Sequence, residues 1–272
     1  MHDPRAQMRG GMGKIAFWRT LRAAFYFTLG DLSRFFRLSG LWLVAILGFQ
    51  VLQALPVSPI VRALASVGLG LFAFGGFTAF PVAWHRTILV GENRGMIAAL
   101  RFGRREWRFL GYALLVSAMI FSPLLLLLGV TGEIVATMRP RLGIAVVAIP
   151  FGSALAGWCL VSRLTLVLPA IAVDETGAVL RRAWSRARGN GARLFLGWLI
   201  CTVPFVAMSG GLRWLQTAVG STVLMNALLG ALPFVVQFFE VAVTVGFLSR
   251  SYQQLAGFRP EPLSDEAVPE LS

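Results

Sequence analysis

TVLMNALLGALPFVVQFFEVAVTVGFL, residues 222–248, carries a single ionisable side chain, Glu240. A helix needs about 20 apolar residues to cross about 30 Å of hydrocarbon, so this run reads as a membrane span with a carboxyl inside it. Arg250 follows ten residues after Glu240. At 1.5 Å per residue that is about 15 Å, which places the carboxyl near mid-bilayer. Asn226, Gly230, Pro233, Gln237, Glu240 and Thr244 recur at alternating spacings of four and three and therefore share one side of the helix. Such a stripe belongs against other helices or a cavity. An intramembrane carboxylate is costly unless paired, protonated or wet. The candidate charge partners are His85, Arg86 and Arg163, each at the end of another apolar run. Two roles stay open for Glu240, a structural interhelical bond and a transport or proton-linked group.

Working outward, five more charge-free runs appear at residues 38–57, 63–84, 109–130, 142–162 and 194–212. The 272 residues are 57% hydrophobic and only 14% charged, too few charges to coat a soluble domain of this size. The mean hydropathy of +0.73 agrees. These numbers predict an all-α polytopic bundle of six transmembrane helices over residues 1–256. A disordered cytoplasmic tail is predicted from residue 257, where Pro260, Pro262 and Pro269 sit among acidic residues. The first run lacks a small-residue cleavage site after it and reads as a retained anchor. Pro81, Pro123, Pro150, Pro204 and Pro233 should kink helices, since neighbouring helices can satisfy the carbonyls they free.

The net charge of +13 does not point to nucleic acid, because the arginines flank the spans. Twenty-one Lys and Arg fall on one side of the predicted topology and only Arg62, Arg139, Arg141 and Arg213 on the other. The positive-inside rule then puts both termini in the cytoplasm.

The loops on the basic side repeat. LRAAFYFTLGDLSRFF from Leu21 aligns without a gap on LRRAWSRARGNGARLF from Leu180, pairing Gly30 with Gly189, Asp31 with Asn190 and Arg34 with Arg193. A shorter middle copy contains Leu100-Arg101 and Phe109-Leu110-Gly111-Tyr112, which parallels Phe195-Leu196-Gly197-Trp198. Three units of interfacial amphipathic helix plus two spans account for nearly the whole chain. Gly189-Asn190-Gly191 suits a left-handed turn that ends one helix, and Asp31 or Asn190 suits the cap of the next. Val179, Leu180, Ala183, Trp184 and Ala187 lie on one helical face; Phe17, Trp18, Leu21 and Phe25 do so in the first copy. Around them Arg19, Arg22, Arg101, Arg181, Arg182 and Arg186 are the candidate lipid-headgroup residues, each worth about 1 kcal/mol beside an anionic leaflet. The expected partners are anionic membrane lipids and, beyond them, a protein partner or a second copy of the chain. Two readings remain for these helices, anchoring alone and selective headgroup recognition.

Familiar catalytic constellations are missing. There is no HExxH, no GxSxG, no phosphate-cradling GxxxxGK[ST] and no carboxylate cluster, so no cofactor or metal is expected. His85 reads as a polar anchor beside Trp84 rather than a base, and Cys159 and Cys201 sit isolated in apolar runs. The leading expectation is a lipid-associated or partner-organising membrane module, and the alternative is a small transporter with a site around Glu240; an intramembrane enzyme acting on lipids is a third reading that no motif supports.

The stretch Arg163-Leu-Thr-Leu-Val-Leu-Pro-Ala-Ile-Ala-Val-Asp174, followed by Ala183-Trp184 and Gly189-Asn190, resembles a group of uncharacterised bacterial inner-membrane proteins. That group is similar to the membrane domain attached to some glycerophosphodiester phosphodiesterases. The resemblance covers chiefly the second half and implies a six-helix membrane domain. It transfers no active residues, and the phosphodiesterase catalytic domain has no counterpart here.

Overall fold

The computed structural model describes residues 14–137, 152, 155–219 and 222–257, and no strand occurs among them. In chain order the helices are α1 (Phe17–Gly30), α2 (Leu32–Ala54), α3 (Pro59–Val90), α4 (Arg104–Thr137), α5 (Val167–Ala172), α6 (Val179–Arg186), α7 (Gly191–Ala218) and α8 (Val223–Ala256). Short 3₁₀ turns occupy Ala98–Leu100 and Ser162–Leu166. Five helical stretches are long and apolar enough to cross a membrane: Leu32–Gln53, Pro59–Val90, Leu155–Ala172, Gly191–Ala218 and Leu224–Ala256. The run 109–130 lies inside α4. Most of 142–154, and the tail from residue 258, lie outside the described residues.

The helices overrun the charge-free runs at the arginine-rich end. The run that predicts an end at Trp84 belongs to α3, which continues through His85 and Arg86 to Val90. The fourth run predicts an end at Ser162, yet helical backbone passes Arg163 and reaches Ala172. α8 likewise passes Arg250 and ends at Ala256. Loss of apolar character marks where hydrocarbon contact ends, whereas a helix ends where its backbone is capped or broken. α3 and α8 stop at Gly91 and Gly257, both left-handed, at φ 68° and 63°. α2 stops earlier than the predicted Val57 because Leu55 precedes Pro56 and is forced into extended backbone.

The starts of α2, α3 and α8 are capped by side chains. The Ser58 hydroxyl accepts from Val61 N ahead of Pro59, and Asp31 accepts from Arg34 N at 3.0 Å. Asn190, its aligned counterpart, makes no such cap: its Oδ1 accepts instead from Ile15 N at 3.0 Å, pinning the segment before α1 to the start of α7. α2 and α7 nevertheless begin one residue after the aligned pair, at Leu32 and Gly191.

α8 is the hub, packing against α7, α2, α1 and α3. Lipid is as apolar as a leucine side chain, so interdigitation rather than water exclusion must hold these helices together where they lie in hydrocarbon. An aromatic cluster of Phe35, Trp42, Phe80, Trp84 and Phe238 joins α2, α3 and α8, and Trp84 Nε1 donates to Ala242 O at 3.0 Å. A second cluster gathers Leu21, Leu89, Phe109, Ile171, Leu194, Phe247 and Tyr252 where the helix ends converge. Gly191 brings α7 so near the preceding span that a Cβ there would run into the Cys159 carbonyl. Ser162 Oγ seals the approach by donating to Cys159 O and Gly191 O at 2.9 and 2.8 Å.

Candidate functional site

The loops at the arginine-rich end build a charged platform beneath the second cluster. α5 ends in a Schellman-type turn, with Glu175 N donating to Ala170 O and Asp174 N to Ile171 O. The left-handed position of that turn usually carries glycine; here it carries Asp174 at φ 61°. This turn holds the Asp174 carboxylate against Arg105 in a fork, at 2.8 Å from Nε and 2.6 Å from the terminal nitrogen. Arg86 joins from the end of α3, 3.3 Å from Asp174 Oδ2 and 3.0 Å from Ala172 O. Arg86 also binds Glu92, which bonds Arg94 at 2.6 Å. Arg94 reaches Glu106 at 3.4 Å, and the other oxygen of Glu106 accepts from Gly103 N at 2.9 Å, closing the start of α4.

A second knot surrounds Glu175, with Arg182 Nε at 2.6 Å, Arg186 at 2.9 Å and the Tyr252 hydroxyl donating at 2.8 Å. The guanidinium of Arg163 lies 5.1 Å over the Trp184 ring, and that of Arg186 lies 5.7 Å over Tyr252. Opposite charges set the ionisation here. The hydrogen bonds from Arg105 hold the Asp174 carboxyl below its ordinary range, and the same contact raises Arg105. Burial opposes ionisation of Glu92 and Glu175, but their arginine partners outweigh it and lower both. Asp174, Glu92 and Glu175 therefore stay ionised around neutrality.

The expected site residues separate into three places. His85, Arg86 and Arg163 each have partners other than Glu240. His85 is fully buried, with Nδ1 2.7 Å from Ser249 Oγ and its ring against Phe109. Glu240 is half-buried and faces Thr202 and Cys201 of α7. The Thr244 hydroxyl is buried with no hydrogen-bond partner, whereas that of Thr202 lies against the Glu240 carboxyl. Gln237 is half-buried one turn before Glu240. At the far end of the stripe, Asn226 O accepts from Gln216 of α7 and Gly230 O from Gln50 of α2, both at 3.3 Å. Gln50, Gln216 and Thr202 are not singled out by sequence reasoning, although a lone amide within an apolar run is a visible signal for Gln50.

Of the headgroup candidates, Arg19, Arg22, Arg101 and Arg181 are exposed, whereas Arg182 and Arg186 point inward to Glu175. Beside the exposed arginines stand apolar side chains open to the surroundings: Trp18 and Tyr26 on α1, Ile97 and Trp107 flanking Arg101. The four carboxylates that organise the platform, Glu92, Glu106, Asp174 and Glu175, also escape sequence reasoning. Only twelve Asp and Glu occur in the chain, so any placed among arginines is the clue. Among the described residues no three His, Cys, Asp or Glu side chains converge as a metal site would require. Comparisons with protein families, curated proteins and solved structures find no match.

Proposed function

We propose that the chain is a bacterial inner-membrane protein of six spans, with its arginine-rich end and both termini in the cytoplasm, acting as a lipid-associated or partner-organising module. Run 109–130 of α4 is the sixth span in this reading, since its helix of 34 residues is about 50 Å long. The surface helices α1 and α6, with the short turn before α4, open three related units. The common onset of α2 and α7 after the aligned Asp31 and Asn190 supports that repeat. The resemblance of residues 163–174 to the membrane domain of glycerophosphodiester phosphodiesterases is part of the same proposal.

One observation carries the reading. Exposed Arg19, Arg22 and Arg101 alternate with exposed Trp18, Tyr26, Ile97 and Trp107, a pairing that suits the boundary between acyl chains and anionic headgroups. The test is reconstitution into neutral and anionic bilayers, followed by mass spectrometry of the lipids retained. The native chain should enrich anionic lipid, and charge reversal of Arg19, Arg22, Arg101 and Arg181 together should abolish the enrichment. Equal retention of neutral and anionic lipid by the native chain overturns the reading.

A second reading, a small transporter, is favoured by the half-buried Glu240 carboxyl, with Thr202 against it and the buried, unpartnered Thr244 hydroxyl one turn on. It requires that Glu240→Gln stop a proton-coupled flux while the protein still inserts; unchanged flux removes it.

A further inference from the structure

The geometry points to a binding site for a phosphate monoester in the cleft between the start of α4 and the loop that follows α5. It rests on the bilayer placement proposed above only for the source of its ligand. The cleft measures about 530 Å³ and is lined by Arg104, Arg105, Arg108, Glu106, Asp174 and Thr176, with Gly103 at its edge. That volume falls within the range of small-ligand clefts.

The charges do not cancel. Asp174 is occupied by Arg105 and Arg86, Glu92 by Arg86 and Arg94, and Glu106 by Arg94 and the Gly103 N–H. Five arginines thus meet three carboxylates, and Arg104 and Arg108 hold no ion pair among the described residues. Two guanidiniums left over on one cleft wall match a group with close to two negative charges at neutral pH, which a phosphate monoester is. Arginine also offers paired N–H donors that fit phosphate oxygens. The saturated carboxylates act differently. By holding Arg105 and bracing the start of α4 through Arg94 and the Gly103 N–H, they fix the backbone from which Arg104 and Arg108 project. A carboxylate ligand or a singly charged phosphodiester would leave one positive charge unmet.

Two sources share this chemistry. A monoester lipid headgroup fits the neighbourhood, because Trp107, 62% exposed, stands beside the cleft where an aromatic ring would rest at a bilayer surface. A free phosphorylated metabolite is the other source.

The experiment uses the full chain. In detergent, inorganic phosphate is titrated calorimetrically; in nanodiscs of phosphatidylcholine, phosphatidic acid is compared with phosphatidylglycerol at equal mole fraction. Binding of free phosphate assigns the soluble source, and preference for phosphatidic acid without it assigns the lipid. In either case Arg104→Gln with Arg108→Gln should weaken binding about tenfold, with an unchanged unfolding midpoint, because both side chains lie at the cleft wall without ion pairs. Arg108→Gln alone serves if the double variant folds poorly, with a smaller loss expected. Arg19→Gln with Arg22→Gln should leave phosphate affinity in detergent as it is, which separates this site from the general headgroup contact proposed above. No binding of phosphate in detergent together with equal binding of the two lipids overturns the inference, as does a loss under threefold in the double variant.

Discussion

The two ends of the bundle are built on different principles. At the arginine-rich end the helices run past their apolar limits, and their last turns bury Leu89, Ile171 and Tyr252 in one cluster with Phe247, which lies just inside the apolar run of α8. At the other end Ile60, Leu64, Val67 and Leu71 of α3 and Val203, Val206 and Trp214 of α7 lie open, and the described helix contacts include two amide bonds from Gln50 and Gln216. Outside hydrocarbon, burial of apolar surface can drive packing and charges can be paired in mixed solvent. Inside it, exposed leucine costs nothing, and only close fit or a polar bond holds one helix to another. In the bilayer placement proposed above, the first end is a small folded domain made from helix extensions and the turns next to them, and the second is a set of helices that leans on lipid.

The sharpest way to break this contrast is to hollow out the domain. Phe247 is completely buried against Gly197 of α7 and the cluster around it. Phe247→Ala should cost about 3–5 kcal/mol, whereas Leu71→Ala on the open face of α3 should leave stability nearly unchanged. Denaturant unfolding of both variants in the same detergent checks the difference. Similar losses in the two would mean that the ends are not distinct.

Charge is the next largest lever. Asp174, Glu92 and Glu175 all have carboxyls held below their ordinary values by arginine, so each contributes stability that is complete above about pH 4–5 and is lost as pH falls through the lowered folded value. The part of the stability that these carboxylates supply should be lost as pH falls below about 4, and the unfolding midpoint should drop steeply there. Asp174→Asn keeps a residue that tolerates the left-handed turn but removes the charge facing Arg105 and Arg86. It should lower stability at neutral pH by about 1 kcal/mol, since the pair is part-exposed, and should make the acid fall shallower. A variant whose acid profile matches the native one shows that the platform carries no stability.

The same contrast explains what can be read in advance. The spans are legible because roughly twenty apolar residues have few alternatives to crossing a bilayer, and the Asp31 cap because a short acid ahead of an apolar run has one good use. The helix ends are not legible, because Arg86, Arg163 and Arg250 look like the border of the membrane and are instead continued helix. Carboxylates and ring faces shelter them, Arg250 lying 5.9 Å over Phe27. Apart from Glu92, six residues after Arg86, those shelters come from segments distant in the chain, and no local spacing encodes them. The aligned Asn190 shows the same limit: local pattern assigns it a cap, while the tertiary structure commits its oxygen to Ile15. Asp174 escapes for a related reason, because its left-handed backbone is visible only once the turn after α5 exists.

The smallest expected effect lies at the open end and tests it from the other direction. Gln216 donates from α7 to Asn226 O of α8, and Gln50 donates from α2 to Gly230 O, each at 3.3 Å. An interhelical bond within a bilayer contributes on average about 0.6 kcal/mol, because the separated helices find other partners for the same groups. Gln216→Ala and Gln50→Ala should each cost about that much, and the double variant about the sum, since the two amides bond different carbonyls. A double variant that costs far more would mean that the polar end of the α8 stripe is a coupled network that clamps the far side, and the domain at the arginine-rich end would then be one of two anchors.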